Sequence, residues 1–182
     1  MNKLIKFTPL CLIAIFAFVS ITSAQEKALE SKQKHDGKID VTFDKEKNET
    51  TVKLNELPIF ENGSETLSMI IVGSFPGQKP TSSQSEILFM LNAASKQSRY
   101  QVEPQLVVIA DGEVIRTRLM KNYGSRNNGT MVVEPLLTMT PFDVVTKMTK
   151  AKRVTFKINS AEYPLTDNTL EALIDFVSRL TP

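Results

Sequence analysis

The stretch that decides the fold spans residues 105–120 and reads QLVVIADGEVIRTRLM. It consists of a Val/Ile run, Gln105–Ala110, and an Ile/Arg/Leu run, Glu113–Met120. Between them lie Asp111 and Gly112, which tolerate the positive φ values of a tight hairpin turn. The stretch therefore predicts two antiparallel strands and indicates a β-rich domain.

The same strand pattern extends toward the N-terminus. Lys38–Asp44 and Thr50–Leu54 alternate apolar with polar side chains and flank a short charged turn, which predicts a hairpin with one buried face. Leu67–Phe75 is almost continuously apolar, as a strand covered on both faces would be. Glu86–Ala94 is apolar again, and we expect it to be a central strand. Apolar positions of the first hairpin are Ile39, Val41, Phe43, Val52 and Leu54.

Downstream, the sequence predicts one more strand and then a helix. Thr130–Thr138 favours a strand, in which Pro135 indicates an edge or bulge position. Thr140 is placed to cap the next segment, with Pro141 at its first helical position and Asp143 completing a pair that resembles a capping box. We expect this short helix to end near Lys150.

A second hairpin and a final helix complete the chain. Lys152–Ile158 and Glu162–Leu165 flank a short turn. The last helix is predicted to begin at Thr166, with Leu165 and Leu170 forming a hydrophobic staple. Its apolar face is expected to contain Leu170, Leu173, Ile174 and Val177, and its polar face Glu171, Asp175, Ser178 and Arg179.

The order of these elements determines the expected fold class. About eight strands precede or surround two late helices, without a βαβ alternation or an internal repeat. This order favours a mainly β, sandwich-like antiparallel fold with two C-terminal helices, of the α+β class. We expect the C-terminal helix to cover an open face or end of the sandwich.

Residues 1–24 have the pattern of a secretory signal peptide: Lys3 and Lys6, an apolar run from Leu10 to Ile21, and small residues ending at Ala24. Cleavage there would leave 158 residues without a cysteine, because Cys11 lies in the apolar run. Lipid attachment at Cys11 is not expected, since the small pair of a lipoprotein site is missing. We expect residues 25–37 to be a disordered tail and residues 38–182 a single domain. We therefore expect the protein to be exported, either to the periplasm or out of the cell.

Composition argues against several functional classes. The expected mature chain has 20 basic and 20 acidic residues, so no charge excess indicates a nucleic-acid partner. His35 is the only histidine, and it falls in the expected tail, which weighs against a catalytic triad or a histidine-based zinc site. We therefore expect no cofactor, no metal and no membrane anchor after signal cleavage.

Charged clusters have ordinary structural interpretations. The segment that begins at Asp44 spaces oxygen ligands like a calcium loop, but Glu49 stands where glycine is needed, which favours a solvated turn. Asp111 and Glu113 flank a hairpin tip, where we expect both to be exposed to solvent, which argues against a catalytic role. The basic residues between Lys147 and Arg153 are interpreted as complements to a helix dipole.

The most binding-like residues lie in the loop Lys121–Gly129. They are Tyr123, Arg126, Asn127 and Asn128. Tyr and Arg supply contact area and donors, and Asn and Gly let a backbone adapt, although ordinary connections share this composition. A second candidate is Phe75–Ser83, where an exposed Phe75 and two prolines would form a stiff edge.

The leading functional hypothesis is an exported, non-catalytic binding or assembly domain of the bacterial cell envelope, with a protein or glycan partner. The alternative is a secreted hydrolase whose carboxylates meet only in the fold. A third is an inhibitor or chaperone of a partner.

Overall fold

The computed structural model describes residues 35–81 and 84–182, and all structural statements concern these residues. Seven antiparallel strands form a larger sheet in the order β1-β2-β3-β4-β9-β7, and β8 also pairs with β9. Their bounds are β1 Ile39–Asp44, β2 Glu49–Asn62, β3 Glu65–Pro76, β4 Glu86–Ser95, β7 Lys121–Asn122, β8 Arg126–Asn127 and β9 Val132–Pro141.

A smaller sheet of four antiparallel strands has the order β11-β10-β5-β6. Its strands are β5 Gln105–Ala110, β6 Glu113–Leu119, β10 Val154–Ile158 and β11 Ala161–Pro164. The described residues also form two helices, α1 Phe142–Lys150 and α2 Asp167–Ser178. The protein is thus mainly antiparallel β with two helices near the C-terminus, which confirms the expected fold class.

The hairpin that began the sequence argument is present. Asp111 and Gly112 adopt φ values of 48° and 93° between β5 and β6, as a two-residue turn with two positive φ angles requires. Asn159 at the β10–β11 turn also has a positive φ, 55°. The N-terminal hairpin forms as well, but β2 continues well past the predicted end at Leu54.

The core lies between the two sheets and follows the two-residue period of the strands. In β3 and β4 every second side chain is buried, and those between are partly exposed. Phe89 of β4 meets Phe156 of β10 edge to face, with ring centroids 6.1 Å apart, so the inner faces of the sheets pack together. The expectation that Leu67–Phe75 would be covered on both faces was wrong, because the outer side chains of β3 stay partly exposed.

Two other burial predictions were wrong for related reasons. Val41 was expected on a buried face, but it is 52% exposed because β1 is an edge strand of the larger sheet. Phe75 was expected to be exposed, but it is 4% exposed because it continues the inward alternation of β3. The edge of the sheet decided the exposure of Val41, and alternation along the strand decided the burial of Phe75.

The first helix starts differently from the prediction. Pro141, not Thr140, occupies the N-cap position, and no side chain caps the helix. Thr140 is instead the last inward residue of β9, paired with Ile87, and its buried Oγ1 has no hydrogen-bond partner among the described residues. Pairing with β4 thus competes with capping. The helix ends at Lys150, as expected.

The second helix matches its predicted start. Thr166 is the N-cap, and its Oγ1 accepts a hydrogen bond from the Thr169 N–H at 3.2 Å. Leu180, just after the helix, packs on Gly73 of β3, where an added Cβ would lie 2.6 Å from a leucine methyl carbon. The helix therefore covers the inner face of the larger sheet. Ile174, predicted on the buried face, is 49% exposed, whereas Phe176 is fully buried.

The described part of the expected tail contacts this helix. His35 Nε2 lies 3.3 Å from Asp175 Oδ2, and the Asp36 N–H donates to Asn168 Oδ1 at 2.9 Å. The predicted signal peptide and residues 25–34 lie outside the described residues. Within the described ranges, no helix is long and apolar enough to cross a membrane.

Neighbouring residues of α2 provide a test of how the core is closed. Leu173→Ala should lower the free energy of unfolding by about 2–5 kcal/mol, because Leu173 is fully buried. Ile174→Ala, the matched control one residue on, should change it by less than about 0.5 kcal/mol, because that side chain is half exposed. Urea unfolding of both variants measures the difference. Equal losses would show that the helix does not close the core in this orientation.

Candidate functional site

The candidate site depends on a buried carboxylate near the start of β9. Glu134 lies on the inner side of the strand and is fully buried. Its Oε2 accepts a hydrogen bond from the Arg99 N–H at 2.8 Å, and its Oε1 accepts from the Ser98 hydroxyl at 2.8 Å and the Tyr100 N–H at 3.2 Å. These donors belong to the connection from β4 to β5, so Glu134 fixes one crossover between the sheets.

Glu134 also contacts the loop between β7 and β9. Asn122 Nδ2 and Ser125 Oγ each lie 3.4 Å from its Oε1, and Asn122 Nδ2 donates to the Tyr100 carbonyl at 2.8 Å. Burial alone would raise the pKa of Glu134, but the hydrogen bonds from Arg99, Ser98 and Tyr100 outweigh it, so the pKa lies below its usual value. The carboxylate is therefore ionised at neutral pH.

Anchoring by Glu134 determines where the loop residues lie. While Asn122 and Ser125 turn toward the carboxylate, Tyr123 and Arg126 line a groove on the outer face of the larger sheet. The Tyr123 N–H donates to the Pro135 carbonyl at 3.0 Å, and Arg126 pairs with Val133, so both are held along β9. The loop thus forms one wall of the groove.

The groove is open and has a volume of about 620 Å³. Its floor comes from β3, β4 and β9, and Glu56 of β2 lines it from the next strand across the sheet. The lining comprises Glu56, Thr66, Ser68, Met90, Asn92, Ala94, Tyr123, Arg126, Val133, Pro135 and Leu137. Apolar side chains thus alternate with a few polar groups across a sheet face that an ordinary sandwich would expose as mainly polar.

A polar group lies at the centre of the floor. Ser68, Asn92 and Pro135 stand opposite one another on neighbouring strands. The Ser68 hydroxyl and Asn92 Nδ2 donate to Glu56 Oε1 at 2.5 and 3.1 Å. The bond from Ser68, together with that from Asn92, holds the pKa of Glu56 below its usual value, so this carboxylate is also ionised.

The loop wall carries positive charge and an aromatic ring. Tyr123 is 61% exposed, and Lys121 Nζ lies 5.7 Å from the centre of its ring. Arg126 is exposed, and within the described residues its guanidinium has no ion-pair partner. An unpaired guanidinium beside an exposed ring can bind an anionic or planar group.

The four residues predicted from the loop divide into two pairs. Tyr123 and Arg126 line the groove, and Asn127 and Asn128 do not. Asn127 Oδ1 accepts a hydrogen bond from the Gly129 N–H at 2.8 Å, and Asn128 Oδ1 accepts from the Met131 N–H at 3.0 Å. The two asparagines therefore shape the turn that leads into β9. In the second candidate segment, Phe75 is buried, and residues 82–83 lie outside the described residues.

The other charged clusters have structural partners. Asp111 accepts hydrogen bonds from the Lys152 and Arg153 N–H groups at 3.0 and 2.9 Å, and Glu113 pairs with Lys147 at 2.7 Å. Asp44 Oδ1 likewise accepts backbone N–H groups within its turn. In the described residues, no group of three or more His, Cys, Asp or Glu side chains is arranged to hold a metal ion.

Four residues of the candidate site were not predicted from the sequence: Glu56, Ser68, Asn92 and Glu134. Ser68 and Asn92 interrupt apolar runs, and Glu134 is a single acid within an apolar strand, which was the available signal. In a strand buried on one face, a polar residue within an apolar run lies either on the outer face, as Ser68 and Asn92 do, or inside with hydrogen-bond partners, as Glu134 does. Glu56 gave no signal, because a β-bulge between Leu54 and Leu57 determines where it lies.

Comparison with known proteins supplies no relative: no family model, no curated protein and no solved structure matches this chain.

The role of Glu134 can be tested by Glu134→Gln. The amide would place an N–H group where the fold needs an acceptor, so we expect a loss of about 2 kcal/mol or more in the free energy of unfolding at pH 7. Because the folded-state pKa lies below the ordinary 4.5, the ionised group stabilises the fold above about pH 4.5. That contribution disappears as the pH falls through the lowered pKa.

Urea unfolding of the wild type and the variant between pH 7 and pH 3 measures this effect. The difference in stability should shrink as the pH falls below about 4.5. Glu103→Gln is the matched control, since Glu103 is exposed and should behave like the wild type at every pH. A constant difference across the range would show that ionisation of Glu134 does not matter.

Proposed function

We propose that the protein is an exported, non-catalytic binding domain of the bacterial cell envelope, and that the outer groove is its ligand site. The groove is the observation that carries this proposal. It has a size typical of small-ligand sites, an apolar floor and a few converging polar groups. Tyr123, an exposed residue of the lining, contacts the described residues through its backbone N–H and through Lys121 beside its ring.

The arrangement around the groove favours binding by a preformed surface. Three of its strands are paired on both sides, and Glu134 fixes the loop wall from behind. A ligand would therefore meet side chains already in place and would not have to order a loose segment. Such a site loses little conformational entropy when a ligand binds.

The alternative, a hydrolase with paired carboxylates, receives less support. Such an enzyme needs two acids across the scissile bond, one of them with a raised pKa. Within the described lining, Glu56 is the only carboxylate, and its pKa is lowered. A binding role requires no such second acid.

Export is tested separately from binding. If residues 1–24 are a signal peptide, protein recovered from the periplasm or medium should begin at Gln25, free or cyclised. N-terminal sequencing or intact mass measurement decides it. A full-length form found only in the cytosol would contradict export and leave the groove to be tested on its own.

The groove is tested with the wild type, Tyr123→Ala and Arg126→Gln. Both side chains are exposed, so the melting temperature should stay within about 2 °C. In calorimetric titration against a panel of soluble envelope glycans and peptides, each variant should weaken the binding of a wild-type ligand about tenfold or more. Arg116→Gln is the matched control, an exposed arginine on β6 of the smaller sheet, and should bind normally. Unchanged affinity in both groove variants would place the ligand elsewhere.

A further inference from the structure

We propose that the groove binds an acidic saccharide, whose carboxylate pairs with Arg126, whose ring lies on Tyr123 and whose hydroxyl groups donate to Glu56. This inference rests on the proposed binding function and names the ligand class of the same site. Three features of the groove carry it: an unpaired cation, an exposed aromatic ring, and an ionised carboxylate with one free oxygen.

The cationic side of the groove calls for an anion. Arg126 stands opposite Val133, and Lys121 stands opposite Leu137, so the two cations flank Tyr123 along β9. Neither forms an ion pair with a described residue. The guanidinium fork matches a carboxylate in a bidentate geometry, which an ammonium group does not offer. Arg126 is therefore the expected contact for the acidic group.

The opposite side of the groove calls for hydrogen-bond donors. Both hydrogen bonds to Glu56 reach Oε1, and Oε2 accepts none from the described residues. An ionised carboxylate is an acceptor only, so a ligand must bring an O–H or N–H group to it. A saccharide hydroxyl does this, whereas inorganic phosphate at neutral pH would meet mainly repulsion. Glu56 also orients the ligand, because it disfavours the acidic group on its own side.

The aromatic ring and the floor fit a sugar ring. The π face of Tyr123 attracts the weakly positive C–H groups that a sugar ring presents on its face. Ser68, Ala94 and Pro135 contribute short side chains to the floor, and these leave room for a ring above them. Met90 and Leu137, which stand opposite each other on β4 and β9, add apolar surface to the floor.

An extended peptide fits the same groove less well. The floor strands β3, β4 and β9 use their backbone N–H and C=O groups within the sheet. A peptide on the face would thus find few partners for its own backbone, which needs hydrogen bonds when it leaves water. The side chains of Ser68, Asn92 and Glu56 suit scattered hydroxyl groups better than a regular row of amides.

The decisive experiment compares matched ligands by calorimetric titration of the full mature chain. The probes are uronic-acid oligosaccharides, the corresponding neutral oligosaccharides, a glutamate-rich peptide and inorganic phosphate. We expect the acidic saccharides to bind at least about tenfold more tightly than the neutral ones, the effect of one charge-assisted pair. This preference should weaken as salt is raised.

Two variants separate the ligand class from the site itself. Arg126→Gln should abolish the preference for acidic over neutral saccharides, and Arg116→Gln should keep it. Ala94→Leu fills the floor without changing a polar group, so it should weaken every bound ligand by about tenfold or more, and its melting temperature reports whether the fold is intact.

The remaining outcomes would contradict the ligand class, the place of binding or the binding function. Equal affinity for acidic and neutral saccharides, or binding of the peptide or phosphate instead, would refute the acidic saccharide as the ligand. If Ala94→Leu weakens the binding that is seen, the groove remains the binding site. Acidic binding that survives both Arg126→Gln and Ala94→Leu would place it outside the groove. If no probe of any class binds, the proposed binding function fails together with this inference.

Discussion

The Glu134 carboxylate is the interaction on which the rest of the site depends. A buried charge is costly unless hydrogen bonds replace its lost water. Here the donors come from the crossover between the sheets, at Ser98 and Arg99, and from the loop before β9, at Ser125. The same oxygens therefore link the path from β4 to β5 with the loop that returns to β9. Without this acceptor, the buried N–H group of Tyr100 and the partly buried N–H group of Arg99 would both lose their partner, and leaving the buried one unpaired carries the larger penalty.

Around this point, a closed polar network extends to the smaller sheet. The Tyr163 hydroxyl, on β11, donates to Glu65 Oε1 at 2.7 Å, and Glu65 pairs with Arg99, whose backbone binds Glu134. Burial, together with the bonds to Tyr100 and Glu65, raises the pKa of Tyr163, so its hydroxyl remains a donor at physiological pH. Apolar packing joins the sheets at their centre, and this network joins them at the end beside the groove.

Local sequence signals predicted most of the elements but not the site. Turn residues such as Asp111 and Gly112, and the cap at Thr166, act over a few residues, so they can be recognised without the fold. By contrast, the helix start at Thr140 was mispredicted because strand pairing with Ile87 competes with capping. The groove joins residues of β2, β3, β4 and β9 that are distant in sequence. Of the groove residues, only Tyr123 and Arg126 were predicted from the sequence, because they share a polar loop with side chains typical of binding sites.

Within the loop, Tyr123 and Arg126 differ from their neighbours in how far the fold uses their side chains. Asn122 and Ser125 satisfy Glu134, and Asn127 and Asn128 satisfy the backbone of the following turn. The polar atoms that make these hydrogen bonds are already used by the fold, so a ligand would have to compete with intramolecular hydrogen bonds there. The side chains of Tyr123 and Arg126 take no part in these hydrogen bonds, which only fix where the two residues lie. A short loop can thus hold its backbone with one set of side chains and present the other set to solvent, which is the physical basis for proposing Tyr123 and Arg126 as recognition residues.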